Sequence, residues 1–199
     1  MSALPSKPSV LSRLAVAPPD GAAARPLRLN DSWWTVAAAA LLACMALSAC
    51  AWISLHLHAD PALRTAALFV HLASLVLGFG AVLAADYLAL LWLSGRCTLR
   101  ETIESTARLH TPIWTGLVGL VASGALLHPD LGSALTRTKL ILVLVLTLNG
   151  LQAGLLNRRM AHPAAPVTAR LLTWGAATTL VSQVCWWGAV AIGFTNSRH

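Results

Sequence analysis

Five long apolar runs, at about 33–55, 65–93, 110–128, 138–157 and 171–194, leave this chain few ways to fold. Each reaches the roughly 18 apolar residues that carry a helix across a bilayer. Hydrocarbon offers no partner for a bare peptide group, so each run must close its own hydrogen bonds as a helix. None shows the alternation of a barrel strand. The expected fold is therefore all-α, a polytopic membrane helix bundle with five transmembrane helices spread over residues 33–199. Residues 1–32, rich in Pro, Ala and Ser, read as a disordered tail.

Charge fits the same picture. Only 11% of the 199 residues are charged, against about 25% in a soluble domain. The net charge of +7 does not point to nucleic acid, because the arginines sit between apolar runs rather than on a polar domain. With the N-terminus cytoplasmic, Lys7, Arg13, Arg25, Arg28, Arg96, Arg100, Arg108, Arg158, Arg159 and Arg170 lie inside. Only Arg64, Arg137, Lys139 and Arg198 lie outside, the bias that sets membrane orientation. Leu47-Ser48-Ala49-Cys50 has the form of a bacterial lipobox, but apolar sequence continues beyond it, and an uncleaved first helix is the expectation. Cys44, Cys50, Cys97 and Cys185 show no CxxC spacing and read as small packing residues.

The inner loop 94–109 places Thr98 and Glu101 at capping-box spacing. A surface helix follows, and Pro112 either restarts the third span or sits inside one continuous helix.

Ionisable residues within spans carry the most information. In the second span His71, Ser74, Gly78, Val82, Ala85 and Ala89 form one stripe, with Asp86 about 60° from it. Such a small and polar stripe faces other helices or a ligand. Asp86 reads either as a proton or ligand site or as a carboxyl neutralised or paired with Arg96 or Arg108. In the third span His110 and His128 share a face about 27 Å apart. Both are explained by an interfacial position. An outer cluster of His71, His128 and Lys139 and an inner cluster of Asp86 and His110 emerge. Lys139 alternatively snorkels to the outer headgroups. Asn149 and Gln183 suit hydrogen bonds across helices, and Gly116, Gly119, Ser123 and Gly124, with Gly80 and Ala84, suit close helix approach.

HLASLVLGFGAVLAADYLALLWL, a basic loop, HTPIWTGLVGLVASGALL and LTRTKLILVLVLTLNGL together resemble the CopD and HemJ-type group of bacterial four-helix membrane proteins. The shared pattern falls on His71, Gly78 and Gly80, Asp86, Ser123 with Gly124, and Lys139, within residues 65–157. The resemblance implies a four-helix core completed by the fifth span, with the first span added. It also implies a bacterial inner membrane, and haem or copper as the associated group. No Met or Cys cluster of the kind Cu(I) favours is present.

Three functions are therefore carried forward. The first is a redox protein binding haem b through His71 with His128, with Lys139, or alone, although His71 lies about 6–9 Å deeper than His128. The second is a proton- or metal-handling transporter using Asp86, His71 and Lys139, a role for which a homo-oligomer would supply further spans. The third is a non-catalytic scaffold or accessory subunit of a membrane partner. Whether the chain is an enzyme stays open; no soluble-enzyme fingerprint occurs.

Overall fold

The computed structural model describes residues 33–57, 60–127, 129–160 and 168–196. These form five helices: α1 (Trp33–His56), α2 (Pro61–Leu93), α3 (Leu99–Leu126), α4 (Ala134–Met160) and α5 (Ala169–Asn196). All five are long and apolar enough to cross a membrane, and no strand occurs among the described residues. The expected tail at 1–32, His58, His128 and Arg198 lie outside the described residues.

Local chemistry sets the helix ends. Asp60 caps α2, its carboxylate accepting from the Leu63 amide at 2.7 Å, and Pro61 fills the first turn where no N–H is missed. α2 ends on Gly95, whose φ of 76° favours glycine. The Arg96 amide reaches Leu91 O and the Gly95 amide reaches Trp92 O, both at 2.9 Å, which is the paired closure of a Schellman motif. Three residues later the capping box forms as expected: Thr98 Oγ1 accepts from the Glu101 amide, and Glu101 Oε2 accepts from the Thr98 amide at 2.8 Å. α3 then runs unbroken through Pro112, so the surface helix and the third span are one element. At 28 residues it exceeds the roughly 20 that a bilayer requires, and its first turns, with Arg100, Glu101, Glu104 and Arg108, extend beyond the lipid.

Two antiparallel pairs build the core. α2 packs most extensively on α3, and α4 on α5. Gly78 and Gly116 make the first contact possible: a Cβ on Gly116 would fall on the Gly78 backbone, and one on Gly119 would strike Ser74. Gly80, by contrast, has nothing within 4 Å, and Ala84 is exposed. The close approach is therefore made by Gly78, which lies on the stripe with His71, rather than by Gly80 and Ala84, which lie off it.

Backbone contact between the two pairs is sparse, and side chains fill the layer between them. Val82, Leu117, Leu146, Cys185 and Trp186 form the buried cluster, with at least one residue from each of α2 to α5 and none from α1. α1 leans on α3 and α4 and buries only Ser54. This is a four-helix core with an added N-terminal helix. Its outward faces are apolar; Phe69 and Val76 are each 75% exposed, a surface suited to lipid chains rather than water. Arg96, Arg100, Arg108, Arg158, Arg159 and Arg170 gather at one end of the bundle, called the basic end below.

Candidate functional site

The end opposite the basic end brings together residues from all four core helices. His71 of α2 is half-buried, and its Nδ1 lies 3.0 Å from Ser123 Oγ of α3. Ser123 has one hydroxyl hydrogen, which it donates to Gly119 O at 2.5 Å. The His71–Ser123 bond therefore takes its hydrogen from Nδ1, leaving Nε2 as a bare acceptor. Gly124 keeps the space beside the ring open, since a Cβ there would lie 3.5 Å from Cε1.

Lys139 of α4 is half-buried as well. Its Nζ sits over Gly193 of α5, 3.8 Å from where a Cβ would be, and is near enough for its charge to act on His71. No hydrogen-bond or ion-pair partner for the Lys139 ammonium occurs among the described residues. His71 and Lys139 thus lie within electrostatic reach of each other at the same end of the bundle. The third residue of that expected cluster, His128, falls outside the described residues.

The expected inner cluster is differently arranged. Asp86 and His110 have separate neighbours. The stripe of His71, Ser74 and Gly78 faces α3, and Asp86, about 60° around α2, is turned towards α5 instead. There Gln183 Nε2 donates to Asp86 Oδ2, and Trp187 Nε1 donates to Gln183 Oε1 at 3.1 Å. No ion pair between Asp86 and Arg96 or Arg108 occurs among the described residues. His110 instead feels the charge of Arg158 on α4. Asn149 does cross to α5, donating to Thr178 O at 2.9 Å while accepting from Gln152 at 3.0 Å.

Sequence reading misses one role and one pairing. Ser123 reads as a packing residue, and only its partner across the helix pair reveals it as the group that orients His71. Gln183 does bond across helices as expected, but its partner Asp86 lies 97 residues away, and the one signal for the pairing is that both are polar residues well inside apolar runs.

A haem group needs an axial ligand and room between helices. His71 meets the first need, because a fixed Nδ1–H and a free Nε2 are the usual state of a ligating imidazole. For the second, Trp186, 2% exposed, and Phe79 stack at 5.5 Å and fill the layer between the pairs at mid-depth. The Trp186 indole N–H has no acceptor among the described residues. At the His71 level the glycines Gly124 and Gly193 stand beside the two polar heads. A group held by His71 would have to enter from that end, above Trp186. No set of three or more His, Cys, Asp or Glu side chains converges on a metal position among the described residues. The cysteines are free thiols; Cys97 Sγ lies 3.2 Å from Thr102 Oγ1 in the α2–α3 connection.

No protein-family model, curated protein or solved structure matches the chain.

Proposed function

We propose that the protein is a multi-pass bacterial inner-membrane protein whose functional site is the His71–Lys139 cluster, and that the group held there is haem b. The observation that carries this reading is the Gly119–Ser123–His71 chain of hydrogen bonds, which makes Nε2 of a half-buried imidazole an acceptor with no hydrogen-bond partner recorded among the described residues. His71 would hold the iron through Nε2. Lys139 would supply a second ligand or the counter-charge to the porphyrin carboxylates. Bound haem supplies one-electron chemistry. Ser123 fixes the ring, Gly124 and Gly193 leave space, and Trp186 closes the floor against water. The arginine distribution supports a cytoplasmic N-terminus, with the His71 cluster on the periplasmic side.

The absorption spectrum of purified full-length protein, before and after haem titration, tests the proposal. A Soret band that His71→Ala abolishes and Ser123→Ala weakens is expected. Protein that is folded and remains colourless after titration overturns it.

A second reading, proton or ion handling, rests on Asp86. This half-buried carboxyl within a span is held by an amide rather than a cation. Flux into proteoliposomes that is lost in Asp86→Asn would favour it. Full retention of abundance and phenotype in both His71→Ala and Asp86→Asn would leave these groups as packing contacts of a scaffold.

A further inference from the structure

At the basic end, Trp33 of α1 and Trp174 of α5 stack with ring centroids 5.6 Å apart and planes 11° from parallel. The Arg159 guanidinium of α4 lies 5.6 Å over the Trp33 ring. Beside them an open groove is lined by Trp33, Arg170, Thr173 and Trp174. Thr173 spends its proton on Arg170 O at 3.0 Å, so the groove's remaining side-chain donors are the Arg170 guanidinium and the indole N–H groups of Trp33 and Trp174. That guanidinium is exposed and has no hydrogen-bond or ion-pair partner among the described residues. The carboxylates at this end among the described residues are Glu101 and Glu104, both on α3 and both engaged. The α1–α4–α5 side thus presents arginines framed by tryptophans, with no described carboxylate.

We propose that this groove binds the headgroup of an anionic phospholipid. Tryptophans at a helix end mark headgroup depth, where a phosphodiester lies within reach. Guanidinium is the side chain best shaped to grip phosphate oxygens in pairs. Exposed apolar residues of α1 and α5, including Leu41, Leu42 and Leu180, continue from the groove as a surface for acyl chains. Charge complementarity selects the anionic lipid over a zwitterionic one, whose choline would meet Arg170. The site is independent of the haem reading, lying at the other end of the bundle.

The test is native mass spectrometry of the full-length protein released from membranes of equal phosphatidylglycerol and phosphatidylcholine with matched acyl chains. Wild type is expected to retain phosphatidylglycerol preferentially. Arg170→Gln should cut that preference about fivefold, the effect of one basic residue at an anionic surface. Arg100→Gln, whose native side chain is already paired with Glu104 at 2.9 Å, should leave it unchanged. Equal retention of the two lipids by wild type overturns the proposal, as does a preference that Arg170→Gln leaves intact. Full displacement of the lipid by inorganic phosphate would assign the site to a free anion and overturn it too.

Discussion

Ser123 has a single hydroxyl hydrogen, and its donation to Gly119 O makes the neighbouring imidazole a donor through Nδ1. Nitrogen NMR of the neutral ring should therefore report protonated Nδ1 and bare Nε2, and Ser123→Ala should give a mixture of tautomers. A mixture in wild type would contradict the assignment. At Asp86, Asn preserves an acceptor for Gln183, so Asp86→Asn should change stability little. Gln183→Leu should cost about 1–3 kcal/mol in detergent unfolding, because the carboxyl then loses its donor. Removing the outer bond with Trp187→Phe should cost about 0.6 kcal/mol, the usual scale of such contacts in membranes. His71, Lys139 and Asp86 were legible because an ionisable group inside an apolar run stands out against its neighbours. Which residue pairs with which was not legible: Gln183 reads as a cross-helix donor and Ser123 as a packing residue, but their matching to Asp86 and His71 is set by position across a helix pair, which a single sequence does not encode.

The α2–α3 pair rests on a backbone contact that a methyl group would break. Gly116→Ala should destabilise the bundle by about 1–3 kcal/mol through overpacking, whereas Gly80→Ala, facing open space, should be neutral or slightly stabilising. Equal effects would undo the assignment of faces. The capping box carries a pH signature. Hydrogen bonds from Thr98 hold the Glu101 carboxyl below the usual glutamate range. A depressed folded value means that the cap's contribution is complete above the ordinary glutamate pKa and lost as pH falls through the lower, folded value. Exchange of the Thr98 amide should accelerate on acidification across that window, and Glu101→Gln should remove the dependence. Helices of this length and apolarity announce themselves, and so did the capping box. Continuity through Pro112 was not readable: proline suits a first turn as well as a kinked interior, and the structure places it inside a continuous helix.

Considered whole, the protein is two helix pairs joined by a layer of large side chains, with α1 set against them. Five spans followed directly from the length of the apolar runs. Which helices pair did not, because the deciding contacts are between glycines that look alike in sequence. Alternating spans put the α2–α3 and α3–α4 connections on opposite sides. With the native cysteines replaced, Ser94→Cys should react with an impermeant maleimide only from the cytoplasm, and Ser133→Cys only from the periplasm. The reverse pattern would invert the orientation. The five residues from Ser94 to Thr98, closed at one side by the Gly95 turn and at the other by the cap, also bear on biogenesis. Partners so near in sequence lose little chain entropy on meeting. α2 and α3 can thus leave the translocation machinery as a finished hairpin, with His71 already oriented, before α4 carries Lys139 into the membrane.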